Sequence, residues 1–182
     1  MKKTLTIILL GFIATANAQV IIGDATGTAA TKTSVLLEFA AGQNKGLILP
    51  YVRTLPTSPT EGTLVLDAST ATAARVKYYN GAWTDLSGKN GNVTSALSAQ
   101  PTIAQAPEVA TSKAIIGAAT STADGVLVLE STTKAMVLPT VADVQNIPSP
   151  SPGMMVYVAG VSPFFYKRLA VFNGTTWSFW KP

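Results

Sequence analysis

Neither cysteine nor histidine occurs among the 182 residues of this sequence. The first absence removes disulfides in any compartment, and the two together remove Ser-His-Asp and Cys-His nucleophile systems. A zinc site built from imidazole or thiolate is excluded on the same ground. Charge is scarce as well: Asp, Glu, Lys and Arg make up 12% of the chain, too little for a disordered polyelectrolyte. Long hydrophobic runs are missing. Residues 5–13 form the main apolar stretch, interrupted by Gly11, whereas crossing a bilayer takes about 20 residues. What is present is a 47% apolar content, enough for one or two small domains with a core.

The first residues read as an export signal. Lys2 and Lys3 form a positive start, residues 5–13 an apolar centre, and Ala16-Asn17-Ala18 a small-x-small cleavage site. Residues 1–18 are therefore expected to be a signal peptide, with Gln19 starting the mature chain. Removing Lys2 and Lys3 from the 13 basic residues leaves 11 against 9 acidic ones, a net charge of +2. The basic pI of the whole sequence then says little about partners. Lys167-Arg168 is the only basic pair left, so a groove that tracks nucleic-acid phosphates is not expected. The expected location is exported: secreted, at the cell surface, or periplasmic.

Self-similarity is the strongest signal in the chain. Ile21-Ile22-Gly23 recurs as Ile115-Ile116-Gly117, and Leu36-Leu37-Glu38 as Val128-Leu129-Glu130. Lys45-Gly46-Leu47-Ile48-Leu49-Pro50 recurs as Lys134-Ala135-Met136-Val137-Leu138-Pro139. A Pro-Gly turn into an apolar run repeats at 59–66 and 150–157, and Arg75 to Gly81 repeats as Arg168 to Gly174, with Trp83 matching Trp177. The offsets stay between 89 and 94 and the order is kept. Two tandem copies of one module are expected, at 19–87 and 115–182. Residues 88–114, rich in Gly, Ser, Ala and Thr and without aromatics, read as a flexible linker between them.

The fold class expected is all-β or mostly β. Residues 34–39, 46–50, 63–67 and 76–79 are short apolar or β-branched runs bounded by turn formers, with counterparts at 126–129, 136–138, 154–158 and 169–172. Residues 140–147 carry Val141, Val144 and Ile147 three apart, the spacing of a short helix. A hairpin closes each copy. Asn80-Gly81 predicts a two-residue type I′ turn, with Tyr78 opposite Trp83 and both on the face of Val76. In the second copy a three-residue loop of Asn173, Gly174 and Thr175 places Val171 opposite Trp177. In this reading Trp83 and Trp177 pack into the core.

These residues resemble a known pattern: apolar-Glu-x-Ser-Thr-Thr-Lys-Gly-apolar-Leu-Pro, then Pro-x-x-Gly into Met-Val-Tyr, then Tyr-Asn-Gly-x-x-Trp. Here it stands as Glu130-Ser131-Thr132-Thr133-Lys134-Ala135-Met136-Val137-Leu138-Pro139, then Gly153-Met154-Met155-Val156-Tyr157, then Phe172-Asn173-Gly174-Thr175-Thr176-Trp177. The chain thus resembles exported repeat proteins of Bacteroidetes and phage-tail-fibre-like modules. That resemblance implies a structural or adhesin-like role through protein–protein contacts. The implied partners are further copies of the chain, a trimer by analogy with tail fibres, or a larger exported or outer-membrane-associated protein.

Chemistry has little to work with. Glu38 and Glu130 hold equivalent places in the repeat, where a solvated charge at a strand end is ordinary, and the remaining carboxylates lack a motif that would converge them. No Asp-x-Asp-x-Asp run offers calcium ligands and no loop has phosphate-binding spacing, so neither a catalytic residue, a metal nor a cofactor is expected. The aromatics crowding the end of copy two are the remaining candidates. Phe164, Tyr166 and Trp180 are expected to contact a partner, and the alternative is a carbohydrate-binding module that stacks glycans on them.

Overall fold

The computed structural model describes residues 19–180 except 108, 110, 164 and 165, so the segment expected to be an export signal and Phe164 lie outside the described residues. The structure is mostly β. Seven short strands come from the first half: β1 Val20–Ile22, β2 Val35–Phe39, β3 Leu47–Ile48, β4 Tyr51–Val52, β5 Leu64–Asp67, β6 Arg75–Tyr79 and β7 Trp83–Asp85. After helix α1, Thr94–Ala99, come β8 Ala114–Ile116, β9 Leu127–Leu129, β10 Ala135–Met136, β11 Thr140–Val141, β12 Met154–Val158, β13 Arg168–Phe172 and β14 Trp177–Trp180. β-Branched and aromatic residues dominate these runs, as suits a pleated, half-buried surface. The stretch expected as a short helix at 140–147 divides instead into β11 and a single 3-10 turn, Val144–Asn146. Asp143 caps that turn by accepting from the Gln145 amide.

The two halves share strand order and polarity. In the first, β4 pairs parallel with β5, which runs antiparallel to β6, and β6 to β7. In the second, β11, β12, β13 and β14 repeat that arrangement. Ahead of each sheet stands a parallel pair, β1 with β2 and β8 with β9. Strands also cross between halves: β10 joins the open side of β2 in parallel, and β3 pairs antiparallel with β12.

Both hairpins are one residue longer than the sequence suggested. Tyr79, not Tyr78, stands opposite Trp83, and Phe172, not Val171, stands opposite Trp177. A type I′ turn needs positive φ at both central residues, and at the first hairpin Gly81 has it (+88°) while Asn80 does not. In the second, the Asn173 side chain accepts from the amides of Thr175 and Thr176, at 2.9 Å each, and so holds a wider loop. A one-residue slip moves side chains to the other face. Trp83 therefore lies with Tyr79, Lys77 and Asp85 on the outer, polar face of its sheet rather than beside Val76 and Tyr78.

The main core lies between the two sheets. Leu66, Val76 and Ala74 from the first half meet Met155 and Val171 from the second. The opposite face of the second sheet is buried too, with Met154, Val156, Val158 and Ala170 packed against Val141, Ile147, Phe172 and Trp177. The segment expected as a flexible linker contributes to the main core: Val93 is 1% exposed and Leu97, one helical turn later, is buried with it. Helical spacing of four lets a chain poor in large side chains still bury two of them on one face. Gly91 bridges to Ala74, and Gly91, Val93 and Leu97 are the buried positions of the stretch from 88 to 99; beyond it the described residues from 101 to 114 are all exposed.

Candidate self-association site

The face where the halves meet is closed by hydrogen bonds between residues 86–92 and the second hairpin. Asn173 is fully buried; its Nδ2 donates to the Lys89 carbonyl at 2.6 Å while its oxygen holds the turn. The Asn92 amide donates to Thr175 Oγ1 at 2.9 Å, and Ser178 Oγ donates to the Ser87 carbonyl. Trp180 belongs to this joint: its Nε1–H donates to the Leu86 carbonyl at 2.6 Å, and 46% of the residue remains exposed. Of the other aromatics singled out, Tyr166 is 60% exposed. Phe179 lies on the surface under the Arg168 guanidinium, 4.0 Å above its ring. Trp177 leans on Phe172 with ring centroids 5.2 Å apart, and Trp83 meets Tyr79 edge-on at 5.3 Å.

The carboxylates are held by their own neighbours. Glu38 is fully buried, contrary to the solvated strand end expected of it, and accepts from Gln19, from Lys32 and from the Ala29 amide at 2.8 Å. Burial pushes its carboxyl up, but the Lys32 ammonium and the Ala29 and Thr28 amides outweigh that and hold it below the ordinary range. This carboxylate ties down the loop from 23 to 34, and Gly27 sits so close that a Cβ there would strike it. Glu130 accepts from Ser121 and does the same for its shorter loop. The two are nevertheless not equivalent in register: Glu38 stands opposite Ile21, whereas Val128 stands opposite the matching Ile115.

On the outer face of the first sheet, Lys77 reaches Asp67 at 2.7 Å, and Arg75 bridges Asp85 and Asn90. Burial raises both aspartates, and the opposing Lys77, Arg75 and nearby serine donors lower them further than burial lifts them. These are paired charges in a shallow groove beside Trp83. Among the described residues, no group of three or more Asp or Glu side chains is placed to hold a metal ion, and no helix is long and apolar enough to cross a membrane.

Exposed apolar side chains gather elsewhere, at strand edges. Val126 is 75% exposed and Leu127 45%, on the two-stranded sheet of β8 and β9, and Ile48 on β3 is 49% exposed. A two-stranded ribbon is marginal by itself and gains from an added strand. The composition of such edges was visible in the sequence, but which edges stay open was not.

The architecture is β-rich, and the carboxylates of Glu38, Asp67, Asp85 and Glu130 are paired within the chain. Residues 115–181, which span the second half from β8 through β14, match the family model described as a phage tail like trimerisation region. No curated protein and no solved structure matches the chain.

Proposed function

We propose that this protein is an exported, non-catalytic structural module that acts by self-association, as a trimer, built from two copies of one β-rich unit. The match of residues 115–181 to a trimerisation region carries this reading. The common strand order of the halves supports the two-copy description, and the apolar strand edges around Val126, Leu127 and Ile48 supply surface for contacts between copies. The signal-like pattern read at residues 1–18 supports export, to the cell surface, the periplasm or as the accessory of a larger exported structure. Sedimentation equilibrium of the purified mature chain tests the central claim. A concentration-independent trimer mass is expected, and a monomer at all concentrations overturns it. N-terminal sequencing of the exported form should begin at Gln19.

A further inference from the structure

The chain leaves two strand edges open that match each other in kind. On β2, one side pairs with β1 and the other receives β10, where the Val137 amide donates to the Leu37 carbonyl at 2.8 Å and Met136 lies beside Leu37. The counterpart of β2 in the second half is β9, since Leu37 stands opposite Val20 and Leu127 opposite Ala114, each one residue ahead of the matching Ile-Ile-Gly. The Val126 carbonyl and the Glu130 amide bond to β8. Strand alternation therefore turns the backbone groups of Leu127 and Leu129 to the other side, where no described strand pairs with them.

The counterpart of β10 in the first half is β3, through the shared Lys-x-apolar-apolar-Leu-Pro run. On β3 the Leu49 amide donates to the Gly153 carbonyl at 3.1 Å and Leu47 stands opposite Met155, so Leu47 and Leu49 address β12. Gly46 and Ile48 then face away. They are the counterparts of Ala135 and Val137, the two residues through which β10 bonds to β2. Among the described residues, one chain thus carries an unused strand edge of the β10 type and an unused acceptor edge of the β2 type, and does not pair them with each other.

The geometry points to a second copy as the occupant: β3 of one copy adds in parallel to β9 of the next. The Ile48 amide donates to the partner's Leu127 carbonyl, and Leu47 lies beside that leucine. The exposed Ile48, Val126 and Leu127 supply the apolar cover. Such a contact joins two different surfaces, so it is head-to-tail and closes only as a ring. The inference rests on the proposed trimer and specifies which edges build it.

Because the chain has no cysteine, disulfide trapping has a clean background. Neighbouring strands lie about 4.8 Å apart, within the roughly 4.4–6.8 Å that a disulfide spans. Oxidised L47C/L127C protein should run as a covalent trimer on a non-reducing gel. L47C mixed with L127C should give covalent dimers, and neither single variant alone should cross-link. I48P removes only an amide that faces away from β12, and should abolish the trimer while keeping the β-sheet circular dichroism. A trimer in solution that shows no L47C/L127C cross-link, or that persists in I48P, overturns this pairing and leaves the proposed function standing. A wild-type monomer overturns both.

Discussion

Asn80 and Asn173 occupy the same place in the repeated Asn-Gly hairpin, and the structure predicts sharply different costs for removing them. Asn173 is fully buried and makes three hydrogen bonds: it accepts from the Thr175 and Thr176 amides and donates to the Lys89 carbonyl. At about 1 kcal/mol net for each bond, Asn173→Ala should cost about 3 kcal/mol, and more where the orphaned Lys89 carbonyl stays dry. Asn80 is exposed, and its side chain makes one long contact, 3.4 Å from Thr84 Oγ1. Asn80→Ala should cost about 0.5 kcal/mol or less. Urea unfolding followed by tryptophan fluorescence separates the two. With a slope of about 2 kcal/mol/M, the first variant should lower the midpoint by about 1.5 M and the second by about 0.25 M. Asn173→Asp sharpens the test, because it keeps the acceptor that holds the turn but sets a carboxylate oxygen against the Lys89 carbonyl. It should therefore rescue little. Equal midpoints for N80A and N173A would refute the claim that the 88–99 segment docks on the second hairpin.

Gly91→Ala should loosen the same joint, since its Cβ would fall 1.9 Å from the Asn173 carbonyl oxygen. Relieving a clash with backbone costs about 1–3 kcal/mol or more, read as faster proteolysis between 88 and 99. Leu97→Ala should cost about 2–3 kcal/mol in thermal or urea unfolding, whereas Ile103→Ala, at a residue 75% exposed, should change stability by about 0.5 kcal/mol or less. Acid should destabilise the fold through Glu38, Asp67 and Asp85, all of which titrate below their ordinary values. A folded pKa below the unfolded one means that the unfolded chain takes up protons first. The stability these groups supply is complete above the ordinary glutamate value of 4.5 and is lost as pH falls through their lower folded values. The melting temperature should drop below that pH, and Glu38→Gln, already less stable at neutral pH, should show a shallower drop.

The sequence by itself determined the β-rich class and the positions of most strands. Those features are local: apolar runs, turn residues and a repeated order of motifs are readable without knowing what lies across space. Composition likewise removed histidine and cysteine chemistry before any geometry was known. What only the tertiary structure decided was where identical local patterns lead. Both Asn-Gly pairs sit in hairpins one residue wider than the local pattern suggests, and only Asn173 is buried against a partner, the Lys89 carbonyl, that is remote in sequence. Glu38 and Glu130 read as equivalents, yet their strands pair two residues out of step, which buries the first carboxylate beneath its own loop. Segment 88–114 lacks aromatics, but Val93 and Leu97 needed only a pocket between two sheets to become core. The crossing of β3 and β10 between halves was invisible for the same reason. Strand pairing is a contest among distant edges, and two-residue strands carry too little pattern of their own to name the winner.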